Sequence, residues 1–255
     1  MYIDLEKAKE EFLKYVSNYD ESLYNIDLKK WHSIRVMEMS ERIAKKMNLN
    51  EEDYEIASII GLLHDIARFE QYTKYQTFSD LNSFDHGDYG VEIINKDLRK
   101  NVDKDKYDEL IKIAIKNHNK FKIEDGLSDR ELFFSKLVRD ADKIDILYEA
   151  TFMFWNGEED FVNNSTITPE IINTFLSKHQ ILHRKGFKLV GFDDVINVLA
   201  FIFDINFKES FEILKKEDYI NKILNRFSLK DTEIFEKVKK LSNDYINSFI
   251  KKCCQ

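Results

Sequence analysis

The sequence predicts an all-α fold, and three observations carry that prediction. Its 255 residues include only 7 glycines and a single proline, too few for the turns that a β-rich fold needs. Apolar residues recur at three- and four-residue spacing through most of the chain. Capping signatures, Asn50 with Asp53 and Ser128 with Glu131, stand where such stripes begin.

Taken in order, Leu5, Ala8, Phe12 and Val16 define a first helix over about 5–16, read as a brace or lid on the main bundle. A second helix is predicted to start after Asp27 as N-cap and to run to Met47, with His32 on its inward side. A third follows Asn50, buries Ile56, Ile60, Leu63 and Ala67, and carries His64 and Asp65 near its end. The polar and aromatic stretch from Gln71 to Phe84 has no sustained period and reads as a long loop bordering a site. A short helix is expected from about His86. Another over 107–117 leads into His118 along the stripe Ile111, Ala114, Ile115. A long helix after Ser128 has Phe133, Leu137, Asp140, Ile144 and Leu147 as its inward line. Beyond Phe152 the pattern stays helical, with starts at Thr168-Pro169, Asp193 and Asp231, and carries no chemical motif. The expected division is an N-terminal brace over 1–27, a metal-binding catalytic core over 28–150, and a helical extension over 151–255 packed on that core.

Composition narrows the function. A net charge of -8 and a pI near 5.4 argue against binding duplex nucleic acid, which requires clustered cations, but leave room for a small anionic substrate. Cys253 and Cys254 are the only cysteines and are adjacent at the C-terminus. They suit neither a disulfide framework nor a zinc cluster, and a reducing, cytoplasmic setting is expected. The start, MYIDLEKAKEEF, has no signal-peptide pattern. The most apolar run, Leu189 to Phe203, is broken by Asp193 and Asp194, so no membrane span is expected.

The chemistry lies in a set of histidines and aspartates. A single histidine on an apolar stripe is more often a hydrogen-bonded core residue than a ligand. Here, four of the six histidines, His32, His64, His86 and His118, fall in one stretch, together with Asp65 and a predicted inward Asp140. A buried Asp140 is costly unless it is paired, for instance with Arg35, or bound to metal. Imidazole and carboxylate together are a transition-metal donor set. Asp65 can bridge, one oxygen serving a metal with His32, His64 and Asp140 and the other a second metal with His86 and His118. Asp85 or Asp88 is a candidate partner for the second nitrogen of His86, and Gly90 either a point of close approach or an ordinary packing glycine. Arg68 and Lys143, three residues beyond Asp65 and Asp140, are candidate phosphate contacts; the alternative is ion pairing with Asp142, Asp145 or Glu70. His179 and His183 read as surface or structural residues, with His183-Arg184-Lys185 a weak anion contact.

The order His32, His64-Asp65, Asp140 resembles the H…HD…D signature of the HD superfamily, with GLLHDIARFE the most similar segment. The additional His86 in DHGDYG and His118 in IKNHNKF resemble the two-metal members, among them HD-GYP phosphodiesterases and certain CRISPR-associated nuclease domains, although the GYP element is absent. The resemblance covers about Leu28 to Tyr148. It implies an HD-domain helical bundle with additional C-terminal helices, and one or two divalent metals: manganese, iron, cobalt, nickel or zinc, with magnesium also admissible.

The expected activity is hydrolysis of a small phosphoester, a nucleotide or nucleotide derivative, by metal-activated water. Asp65, Arg68 and Lys143 are the residues placed in the chemistry. Two rivals use the same residues. One is the mixed-valent di-iron oxygenase of the myo-inositol oxygenase type; the other is a regulatory protein that binds metal and nucleotide with little turnover.

Overall fold

A computed structural model of the protein describes residues 4–95, 107–179 and 189–252. It is all-α, with no strand among the described residues. The chain divides into two compact units, Met1–Asp142 and Lys143–Gln255.

The first unit begins with α1 (Leu5–Val16), capped by Asp4, whose side chain accepts the Lys7 N–H. Helix α2 (Tyr24–Lys46) starts one turn earlier than predicted. Asp27 is therefore in its first turn rather than at its cap, where it accepts from the Trp31 indole and pairs with Lys30. Helix α3 (Glu51–Leu63) has the predicted cap, with Asn50 Oδ1 accepting the Asp53 N–H at 2.9 Å. The expected long loop is shorter, because α4 (Arg68–Tyr75) takes in its first five residues. Phe69 makes that helix possible: it is fully buried and packs edge-on against Phe12 of α1, with ring centroids 5.9 Å apart. After a 3-10 turn at Asp80–Asn82 come α5 (His86–Ile93), α6 (Asp108–Asn117) and the long α7 (Asp129–Ala150). Ser128 and Glu131 form the expected capping box at the start of α7.

Two glycines set helix spacing in this unit. A Cβ on Gly61 of α3 would stand 2.6 Å from Ser40 Oγ and 2.8 Å from the Val36 carbonyl of α2. One on Gly87 of α5 would stand 2.9 Å from the Lys116 carbonyl of α6. Hydrogen atoms at these positions let α2 approach α3, and α5 approach α6, at near-backbone contact. Of its two readings Gly90 takes that of an ordinary packing glycine, with 3.5 Å to the nearest methyls of Ile66 and Ile115.

In the second unit the described helices after α7 are α8 (Glu159–Asn164), α9 (Pro169–Asn173), α10 (Phe192–Leu199), α11 (Lys208–Glu217), α12 (Tyr219–Leu224) and α13 (Thr232–Lys252). Helices α11 and α12 both pack on α13. Asp231 caps α13 as expected. Helix α10 starts within one residue of the expected Asp193, which lies in its first turn and ties it to the start of α9 by accepting from the Thr168 N–H and hydroxyl. Trp155, in a left-handed backbone conformation, is buried and donates its indole N–H to Asp194. Arg226 joins the Ala150 carbonyl to Glu159. No helix among the described residues is long and apolar enough to cross a membrane.

Candidate metal centre

The first unit brings His32, His64, Asp65, His86, His118 and Asp142 together, and local sequence explains how each arrives. His32 lies mid-way along α2, in a buried run with Ser33 and Ile34. The α3 helix stops at Leu63, so His64 and Asp65 belong to the turn between α3 and α4. His86 opens α5 immediately after its N-cap Asp85. His118 is the C-cap of α6. All four imidazoles are at most 4% exposed.

Their protonation is dictated by their partners. His64 Nδ1 faces the Gly61 carbonyl at 2.8 Å and His118 Nδ1 the Ile115 carbonyl at 2.6 Å. A carbonyl only accepts, so in both rings Nδ1 carries the hydrogen and Nε2 a lone pair. His86 Nδ1 stands 2.6 Å from Asp80 Oδ2, and its hydrogen is fixed in the same way. Burial, followed by the charge of Arg68, pushes His86 down to about 4, and burial lowers His64 as well. Both rings are therefore neutral near pH 7.

The Nε2 atoms of the four rings then face one another in two pairs. His86 Nε2 and His118 Nε2 are 3.1 Å apart, and each is 3.4 Å from Asp65 Oδ1. On the other side, His32 Nε2 and His64 Nε2 are 3.3 Å apart. They lie 3.7 and 3.6 Å from Asp65 Oδ2, and 3.2 and 3.6 Å from Asp142 Oδ1. Ligands about 2.1 Å from one ion are about 3.0 Å apart in an octahedron and about 3.4 Å apart in a tetrahedron. The donors around Asp65 Oδ1, 3.1–3.4 Å apart, have these spacings, and those around Oδ2 and Asp142 span 3.2–3.7 Å; acceptors this close repel one another unless a cation lies among them. The donors therefore fit a metal.

The carboxylates are held in the form a metal requires. Burial acts to raise Asp65, but Lys29, His64 and Arg68 outweigh it and keep the group well below the usual carboxylate range. Asp142 is likewise held well below that range, burial being overcome by the neighbouring imidazoles of His32 and His64. Asp80 is lowered too, with His86 and Arg68 prevailing over burial.

The carboxylate that meets His32 and His64 is thus Asp142, in place of the expected Asp140. Asp140 is fully buried but belongs to none of the candidate metal-holding groups among the described residues. Residues two apart on a helix point about 200° away from each other, so only one of the pair can enter the cluster. The expected partners of His86 also differ. Asp85 caps α5 and pairs with Lys120, and Asp88 pairs with Lys120 as well, while Asp80, from the 3-10 turn, takes the imidazole. Gln71, fully buried, holds that turn by donating to Asp80, Ser83 and the Phe84 carbonyl.

Arg68 does lie beside Asp65, with Nε 3.4 Å from Oδ1. Its Nη1 is already engaged by Gln71, the Phe78 carbonyl and Asp80. Lys143 directs its ammonium to Asp204 Oδ2 at 2.9 Å, within the second unit. Lys29, which the sequence reading did not single out, stands 2.7 Å from Asp65 Oδ2. Its signal was available: it precedes His32 by three residues and so shares a helix face with it. Arg139 was missed too; its buried Nη1 donates to the carbonyls of Asn117, His118 and Lys120, fixing the end of α6 that presents His118. His179 is exposed and stacks on Phe203. His183, Arg184, Lys185, Cys253 and Cys254 lie outside the described residues.

Residues 31–147 match the family model of the HD domain. The chain carries an HD domain. The matched segment contains every member of the cluster, from His32 to Asp142. HD domains bind divalent metals, and the family consists mostly of metal-dependent phosphohydrolases. No curated protein and no solved structure matches the chain.

Proposed function

We propose that this protein is a metal-dependent phosphohydrolase acting on a small phosphoester, a nucleotide or nucleotide derivative, in a cytoplasmic setting. The observation that carries the reading is the position of Asp65, whose two oxygens face two separate donor sets. His32, His64, Asp142 and Asp65 Oδ2 would hold one divalent metal; His86, His118 and Asp65 Oδ1 would hold a second. Metal there supplies Lewis acidity, which makes water nucleophilic near neutral pH and polarises a phosphoryl oxygen.

The chain's own residues prepare the site for that chemistry. Asp80, the Gly61 carbonyl and the Ile115 carbonyl hold three imidazoles in the tautomer that turns Nε2 inward. Arg68 remains in the proposal as a phosphate-facing cation, since Nη1 carries all of its hydrogen bonds to described residues and Nη2 carries none. Lys143 does not, because its ammonium is paired with Asp204. No protein nucleophile is required.

The test is to purify the protein without oxygen, measure bound metals, and follow phosphoester hydrolysis and oxygen consumption for manganese- and iron-loaded samples. Hydrolysis of a nucleotide or related phosphoester by the manganese form is expected. Oxygen uptake without ester turnover would replace this reading with the di-iron oxygenase. Metal and nucleotide binding with no turnover would replace it with the regulatory protein.

A further inference from the structure

Lys29 stands at the entrance of the cluster. Its Nζ is 2.7 Å from Asp65 Oδ2, and its side chain retains 17% exposure against 3% for Asp65. The ammonium thus lies on the solvent side of the carboxylate. Beneath it is Phe78, with Nζ 5.5 Å from the ring centroid. The same ring has the Arg68 guanidinium 5.6 Å from its centroid, and the Phe78 carbonyl is tied to Arg68 Nη1. One aromatic ring therefore supports both cations that flank Asp65.

Oδ2 cannot serve both charges equally. It faces His32 and His64 as a prospective metal ligand, and the ammonium already occupies it. A divalent ion among those donors would neutralise the carboxylate and repel the ammonium at short range. The flexible four-carbon stem lets the ammonium turn outward while it stays over Phe78.

We infer that Lys29 exchanges partners: it is the counter-ion of Asp65 in the metal-free protein and the ligand of an anionic phosphoryl oxygen once metal is bound. The inference rests on the metal-dependent hydrolase reading and deepens it, by naming the residue that recognises the substrate's charge and by making anion binding conditional on metal. A metal-free site offers no free ammonium to an anion. A loaded site offers one beside Arg68.

Calorimetric titrations of the whole 255-residue chain test this without reference to turnover. In the unaltered protein, orthophosphate should bind after manganese loading and not before. Lys29→Met keeps the apolar stem over Phe78; it should bind manganese about tenfold more tightly, because a competing charge is gone. Its manganese form should bind orthophosphate at least about tenfold more weakly, the loss expected for one charge-assisted hydrogen bond. Lys29→Gln repeats both measurements with a polar side chain. Unchanged or weaker manganese affinity in the variants overturns the inference, as does unchanged orthophosphate affinity or equal orthophosphate binding to the metal-free protein. In each of those cases a metal-binding wild type leaves the hydrolase reading standing. A wild type that binds no manganese, iron or zinc overturns both.

Discussion

Asp142 holds its Oδ1 3.2 Å from His32 Nε2, the separation of two ligands on one ion. Asp140, two residues earlier on α7, is equally deep in the protein but outside the cluster. The two aspartates therefore make opposite predictions. Asp142→Asn should lower metal affinity by at least about tenfold, because an amide replaces an anionic ligand. Asp140→Asn should keep the metal stoichiometry while costing about 1–3 kcal/mol of stability, as one side of a buried polar arrangement is altered. Elemental analysis of dialysed protein, with thermal unfolding alongside, separates them. Metal lost from Asp140→Asn and kept by Asp142→Asn would reverse the assignment.

Asp80 acts on the metal through His86. With 2.6 Å between its Oδ2 and His86 Nδ1, it fixes the tautomer and orientation of that ring, the part that backbone carbonyls play for His64 and His118. Asp80→Asn should weaken metal binding by about 10–100-fold. Because His86 faces only Asp65 Oδ1, the loss should fall on one of the two metals. A titration that still shows two equivalents with unchanged affinities would remove Asp80 from this role.

Much of this was legible in the sequence, and the exceptions have physical causes. The stripes that carry His32 and His118, the Asn50 cap and the Ser128–Glu131 box depend on local spacing, which one sequence displays directly. Asp142 was hidden because α7 is buried on several sides. Phe134, Val138 and Ala141 are as deep as Leu137 and Ile144, so membership of an apolar line could not select between Asp140 and Asp142. Asp80 and Gln71 were hidden for a different reason. Their contact depends on a 3-10 turn folded back on α4 by non-periodic residues, and such geometry is set by tertiary partners.

The depressed histidines give the metal-free protein a defined response to acid. His86 is at about 4 in the folded chain against an ordinary 6.5. The unfolded chain therefore binds more protons between those values, and stability falls as pH drops from about 6.5 to about 4. The shift corresponds to about 3 kcal/mol for a group so nearly enclosed. His64 is displaced in the same direction. Asp65, Asp80 and Asp142 are lowered carboxylates, so their contribution is complete above the usual carboxylate range and is lost only below it. Chemical denaturation of metal-free protein at a series of pH values should show a first decline between pH 6.5 and 4. His86→Gln should make that decline shallower. Identical slopes in the two proteins would show that His86 is not the group responsible.

Gly61 connects stability to the metal site. Its position on α3 faces backbone of α2, where a methyl group would meet the Val36 carbonyl at 2.8 Å and Met37 Cα at 3.0 Å. Neither atom can move without moving the helix that carries His32. The 3.3 Å separation of His32 and His64 is set by this same approach of α2 to α3. Gly61→Ala should therefore cost about 1–3 kcal/mol, as overpacking of a close helix contact does, and weaken metal binding in the same variant. Gly90→Ala is the control. Its added methyl would lie 3.5 Å from Ile66 and Ile115, and alanine within a helix gains about 0.4–1 kcal/mol over glycine, so stability should rise and metal affinity stay constant. Thermal unfolding and metal titration of the two variants decide the matter. If Gly61→Ala loses stability but binds metal normally, the glycine serves packing alone and the spacing of the histidines is set elsewhere.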